Sequence, residues 1–378
     1  MNSHKSKVWS WSLGAAVFFL VCGLSFWAYW IMWGQYHERT EDAYVNGNMV
    51  MVMPFEDGVV KTIFVDNAQI VEAGQPLVEL DTHDFLIAFD REAASLADTV
   101  REVAKLFYKV EELRAKQVVA EADLIRARLD YEHRKALVED ASVSREDFEH
   151  SETALAAAAA HVTEVVKELE GTLALVENTT VATHPKVEHA KAALRKAFLA
   201  LHRCIVVAPA RGLIGQRKVQ VGQWVRATDS LMALVPLDQV WVDANYREVS
   251  LRHLRIGQPV EITSDMYGTD VTFHGHVVGL NPGTGSVFSI LPPQNATGNW
   301  IKIIQRVPVK ISLSAEEIAS HPLVLGLSMT THVDTHNRMG KRLPENTAAR
   351  PIYTTAVYDE ELEGAEQVIA AIIADNMP

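Results

Sequence analysis

The sequence predicts an α+β multidomain chain: an N-terminal transmembrane helix, a β-sandwich built in two halves, a long antiparallel α-helical coiled-coil hairpin and a small β-barrel. Three observations carry this. A run from Val8 to Trp33 has no charged side chain. Two short β-patterned stretches, beginning at Gly58 and Gly212, match each other at key positions with one constant offset. Between them, residues 84–202 hold one proline, Pro185, and one glycine, Gly171, and follow a heptad pattern. The chain has 378 residues, 48% hydrophobic and 22% charged, which fits two or three folded domains.

The N-terminal run exceeds the roughly 20 residues a helix needs to span a bilayer. Trp9, Trp11, Trp30 and Trp33 lie near its ends, where indole rings favour the interface. Lys5 and Lys7 precede it, so residues 1–7 are expected in the cytoplasm, 8–33 as an uncleaved anchor, and the rest across the membrane. A cleaved signal peptide would have a shorter apolar region and a small-residue cleavage site. A lipoprotein signal ending at Cys22 is disfavoured by Val21 before it.

Residues 45–83 and 203–237 are expected to form the two sandwich halves. Gly58-Val59-Val60 matches Gly212-Leu213-Ile214, Val65–Val71 lies over Val219–Val225, and Leu77 and Leu80 match Leu231 and Leu234 at the same offset. Each copy alternates apolar residues with Gly, Asn and Asp, as strands and turns do. Neither copy alone can bury much core; two facing each other can. This is the pattern of a lipoyl-like domain. The hairpin that would carry the cofactor lysine is absent, so no cofactor is expected.

The insertion, 84–202, reads as two helical arms. Leu86, Phe89, Ala93, Leu96, Val100, Val103, Phe107 and Val110 recur by three and four. After a skip near Leu113 the seam continues through Ala120, Leu124, Ala127 and Tyr131. Leu155, Ala159, Val162, Val166, Leu169, Leu173 and Val176 return it, as in a coiled coil. The chain turns at about 138–147, where Ser144 and Asp147 make a capping-box-like start. The return arm breaks between Asn178 and Pro185 and resumes as Val187–Leu201. Arg145, Glu146 and Asp147 at the tip are either docking groups or solvated turn charges.

Residues 238–340 return to alternation, as in Val240–Tyr246, Phe273–Val278 and Ile301–Leu313, which fits a closed barrel without exposed edges. Its long loop, Asn281–Trp300, presents Phe288, Ile290, Leu291, Asn295 and Trp300. These residues are candidate contacts with a substrate or transporter, the alternative being that the loop packs over the barrel end. The segment 341–378 is expected to end in a short helix, Asp359–Ile373, weakened by Gly364.

The formal net charge of −13 argues against nucleic acid, which needs clustered cations. Cys22 and Cys204 make no CxxC pattern. No HExxH, GxSxG or Walker motif is present, so no catalytic residue is assigned and a non-enzyme is expected. His274 with His276, and His332 with His336, lack clear partners for a metal site, and none is assigned.

Three stretches resemble the EmrA-type membrane fusion proteins, the periplasmic adaptors of the HlyD family in tripartite multidrug efflux pumps. They are Glu41–Asn48, Trp241–Glu248 and, above all, GTGSVFSILPPQNATGNWIKIIQRVPVKI at 283–311. The resemblance covers about 8–340. It implies an inner-membrane, single-pass protein of a Gram-negative bacterium with its bulk in the periplasm. It also implies an EmrB-like major facilitator transporter, a TolC-like outer-membrane channel, a cyclic homo-oligomer such as a hexamer, and hydrophobic toxic small molecules as cargo. Related tips carry Arg, Leu and Ser at fixed offsets. Leu137 and Ser144 match here, while the arginine slot holds His133 with Arg134 next to it. The expected channel contacts are therefore His133, Arg134, Leu137, Ser144 and Arg145. Rival readings are an adaptor for secretion or aromatic-acid export, and a periplasmic ligand- or metal-binding protein.

Overall fold

The computed structural model describes residues 3–32, 34–139, 142–285, 287, 304–343 and 351–377. In chain order its elements are α1 (Ser3–Met32), β1 (His37–Gly47), β2 (Val50–Val52), β3 (Gly58–Ile63), β4 (Ile70–Val71), β5 (Pro76–Leu80), α2 (His83–Glu139), α3 (Arg145–Val176) and α4 (Pro185–His202). There follow β6 (Ile205–Val207), β7 (Gly212–Arg217), β8 (Trp224–Val225), β9 (Met232–Val235), β10 (Val240–Arg247), β11 (Pro259–Ser264), β12 (Gly268–Leu280), β13 (Arg306–Leu313), α5 (Ala315–Ser320), β14 (Ser328–Asp334) and α6 (Glu363–Asn376).

Two four-stranded sheets, β2-β9-β7-β4 and β6-β5-β3-β8, each draw two strands from either side of the helical insertion. The repeat explains why. Val60 and Ile214, Val65 and Val219, Val71 and Val225, Leu77 and Leu231, and Leu80 and Leu234 are all buried in one shared core. The equivalence extends to the backbone. Ala68 and Gly222 occupy the same place in the repeat, and both have positive φ, 63° and 81°. A tight turn demands that conformation, and only the second copy meets it with glycine.

The barrel is closed, in the order β1-β10-β13-β12-β11-β14. Its sixth strand comes from the opposite end of the chain. β1 pairs with β10 through Val45↔Val242 and with β14 through Arg39↔His332. Residues 45–47, read from the sequence as part of the first sandwich half, belong to this strand. The error has a physical origin: Glu38–Asp42 is nearly all polar, and only Thr40, Ala43 and Val45 point inward as buried residues. Inside, the Tyr246 hydroxyl and Thr331 Oγ1 share a hydrogen bond of 2.7 Å, so the polar tip of a fully buried ring has a partner.

α2 and α3 pair as an antiparallel hairpin, and at 57 residues α2 extends about 85 Å. The seam follows the heptads with local shifts. Leu113 and Val165 are buried, while Leu86 and Ala159 are exposed. At the start of α2 it is Phe85 that packs on the sandwich core, which turns Leu86 outward. The break in the return arm is built by Asn178 at positive φ and by His184, whose Nδ1 accepts from Lys186 N–H while Nε2 donates to the Leu175 carbonyl. Pro185 then opens α4, where its missing N–H costs nothing.

α6 returns to the hairpin base. Ile369 and Ile373 join Leu96, Val100, Val103, Val187, Ala190 and Leu194 in one cluster. Arg195 Nε donates to Glu366 at 2.5 Å, and Arg203 Nη2 to Glu361 at 2.8 Å. Gly364, which weakens the helix on propensity, sits against the Phe198 ring, where a Cβ would come within 2.9 Å of Cζ. The helix runs three to four residues further along the chain than expected, because its buried stripe is Ala365, Ile369 and Ile373.

Candidate docking site at the hairpin tip

The hairpin tip gathers the five residues singled out from the sequence and divides them into two kinds. Ser144 and Arg134 hold the turn. Ser144 is the N-cap of α3: its Oγ accepts from Asp147 N–H at 3.1 Å and donates to Asp147 Oδ2 at 2.6 Å. This satisfies a donor that would otherwise be orphaned at a helix start. Arg134 reaches across the turn, donating to the Asp147 carbonyl at 3.1 Å, and pairs with Asp130 at 3.3 Å. Just inside, Tyr131 stacks on Phe148 with centroids 5.4 Å apart.

His133, Leu137 and Arg145 face outward. The Leu137 side chain is 44% exposed. The Arg145 side chain is 91% exposed, and its pairing with Glu149 at 3.6 Å is too solvated to fix it. These three are free to meet a partner.

An apolar stripe leads up to them. Val118, Ile125 and Leu129 are all exposed on α2. Their spacing of seven and four places them on one helix face. That face lies opposite the seam marked by Leu113 and Ala120, so α3 cannot cover it. Sequence reading followed the seam and missed this second stripe, although the same 3.6 periodicity displays it.

The other candidates, Phe288, Ile290, Leu291, Asn295 and Trp300, lie outside the described residues. His274 is engaged by Glu317: the ring Nδ1 lies 2.8 Å from one carboxylate oxygen, and the His274 N–H donates to the other at 2.7 Å. Among the described residues no group of three or more His, Cys, Asp or Glu side chains could hold a metal ion. Cys204 is buried, which pushes its thiol up to about 11, helped by Glu56 and Asp81.

The helical segment matches a family model described as the EmrA alpha-helical hairpin domain, over residues 83–204. The chain is 37% identical over 348 residues to the multidrug export protein EmrA of Escherichia coli (strain K12), covering 92% of this chain and 89% of that one. It belongs to the EmrA-type membrane fusion proteins. It is also 39% identical over 378 residues to the probable multidrug resistance protein EmrK of the same organism, covering 99% and 97% of the two chains. The fatty acid resistance protein FarA of Neisseria gonorrhoeae is 44% identical over 298 residues, covering 79% and 76%. Sandwich and barrel each draw strands from both sides of the matched hairpin segment.

Proposed function

We propose that this membrane fusion protein is the adaptor of a tripartite multidrug efflux pump. α1 anchors it in the inner membrane with its N-terminus in the cytoplasm, and the remainder stands in the periplasm. The span Gly14–Tyr36, which begins in α1 and runs past its end, is apolar enough to cross a bilayer, with a mean hydropathy of 1.9. The barrel, including its 283–300 loop, meets an EmrB-like major facilitator transporter. The sandwich is a lipoyl-like module in which α2–α4 replace the carrier hairpin. The hairpin tip meets a TolC-like channel through His133, Leu137 and Arg145, and copies of the chain close into a ring around the duct. The cargo is hydrophobic and toxic to the cell; the names of EmrK and FarA, which refer to multidrug and fatty acid resistance, support an amphipathic range.

The observation that carries this reading is the outer stripe of Val118, Ile125 and Leu129, with the exposed Leu137 eight residues further toward the tip. Exposed apolar surface at the far end of a long lever is a partner surface. The test is deletion of the gene followed by susceptibility to a panel of hydrophobic compounds. Increased sensitivity that is restored by the intact gene, and not by one lacking residues 118–160, supports the reading. Unchanged sensitivity to every compound contradicts it.

A further inference from the structure

The barrel end beside the anchor carries a concentration of cations unlike the rest of this acidic chain. Two segments build it: Arg252–Gly257, after β10, and His336–Leu343, after β14. Neither contains a carboxylate. They are knitted together by buried Gln258, whose Nε2 donates to the carbonyls of His253 and Asn337 at 3.0 and 2.8 Å. The Ile256 N–H donates to the Lys341 carbonyl at 3.0 Å. Gly340 permits the approach, since a Cβ there would stand 2.8 Å from the Ile256 carbonyl.

The result is Arg252, Arg255, Arg338, Lys341 and Arg342 on one face. The guanidiniums of Arg255, Arg338 and Arg342 donate to backbone carbonyls. Arg255 Nη1 donates to the carbonyls of Arg252 and Leu254, and Arg342 Nη2 to that of Arg252. The nearby carboxylates are engaged by histidines, Glu38 with His253 and Asp334 with His336. Burial, with Arg342 and Arg338 alongside, holds Arg255 below its ordinary value, as expected where cations crowd.

This face adjoins the point where the chain leaves the membrane helix. Arg338 Nη2 donates to the Gln35 carbonyl at 3.1 Å, and its guanidinium lies over the Tyr36 ring. His336 stacks on the same ring at 4.3 Å. Gln35 is three residues beyond the last residue of α1. Among the cations, Met339 is 94% exposed and Leu343 is also exposed. Cations around protruding apolar tips, at the level of the headgroups, have the composition of a surface that rests on a charged bilayer.

We propose that this barrel face binds anionic phospholipid headgroups, with Met339 entering the interface. The inference rests on α1 being the membrane anchor. It gives the barrel a fixed seat on the membrane in addition to the single helix.

The full-length chain, with Cys22→Ser and Met339→Cys labelled by an environment-sensitive fluorophore, would be placed in nanodiscs. Phosphatidylcholine discs would be compared with discs that also contain phosphatidylglycerol, with a headgroup-level quencher lipid present in both. Buried Cys204 stays unlabelled. The expected result is a blue shift and roughly twofold quenching in the anionic discs only. Both effects should be abolished by Arg252→Gln with Arg342→Gln, two exposed side chains whose loss leaves the melting temperature unchanged. Lys341→Gln with Arg342→Gln should act in the same way. A label that stays water-exposed in both discs overturns the lipid face while leaving the anchor intact. Failure of the chain to enter discs overturns the anchor and this face together. Reversal by inorganic phosphate identifies a free-phosphate site and overturns the lipid assignment. A response seen only when an EmrB-like transporter is co-reconstituted assigns the face to protein and also overturns it.

Discussion

The two ends of the hairpin are made from the same helices and are held in different ways. At the base, α2, α4 and α6 bury Leu96, Val100, Val187, Leu194, Ile369 and Ile373 together, and two arginine–glutamate pairs lock α6 down. Beyond Leu113, Ala120 alone among the described residues of α2 is buried. The distal seam belongs to two helices in water, which leaves the apolar seam residues nearer the tip than Ala120 and Val165 partly wet. Three helices enclose a broad core, whereas α2 and α3 by themselves bury the smaller cluster of Val110, Leu113, Leu169 and Val176 and little beyond it toward the tip. The base therefore fixes direction, and the distal end keeps apolar surface free for another protein.

That contrast can be broken or sharpened by substitution. The largest effect is expected at the base. Leu194→Ala should cost about 3 kcal/mol, read by denaturant unfolding, because the cavity it leaves is walled by three helices. The same truncation at Leu129 should cost less than about 0.5 kcal/mol, since that side chain is already exposed. Equal costs at the two sites would erase the distinction. Next comes Gly364→Leu, which drives a side chain into the Phe198 ring and should destabilise α6 by about 1–3 kcal/mol. Amide exchange should quicken across Glu363–Asn376 and leave α3 unaffected. Ser144→Ala removes the N-cap of α3 and should cost about 1 kcal/mol, confined to faster exchange at the tip. A further effect, of opposite sign, lies outside the hairpin. Ala68→Gly should stabilise the sandwich by about 0.5–1 kcal/mol by relieving the positive φ that its repeat partner Gly222 already accommodates.

Much of this was legible in the sequence. The repeat named the sandwich core pair by pair, since identical offsets mean identical places in a pseudo-symmetric fold. The heptads gave the hairpin, and Asn178–Pro185 gave its break. β1 was not legible as a barrel strand, because a closed barrel needs only every second residue inside and β1 meets that need with Thr40, Ala43 and Val45. The docking of α6 on the hairpin base was also hidden, as its partners lie some 170–270 positions away in the chain. At the tip, a sequence pattern could select Leu137 and Ser144, with His133 in the arginine slot and Arg134 next to it, but could not say which of them the turn itself consumes. Ser144 and Arg134 are committed to Asp147; Leu137 is not. The basic face needed the fold as well, because Arg252–Gly257 and His336–Leu343 meet only once the barrel has closed.

The central claim is that the distal stripe is uncovered in the isolated chain and covered in the assembled pump. Photo-crosslinking in cells tests it most directly, with a photoreactive residue at Leu129 or Leu137 and, as a control, at Leu194 in the base. The expected result is a crosslink from both distal positions to another protein of the cell envelope, and from Leu194 only within the chain. Distal positions that crosslink to nothing while the pump still confers resistance would contradict the claim.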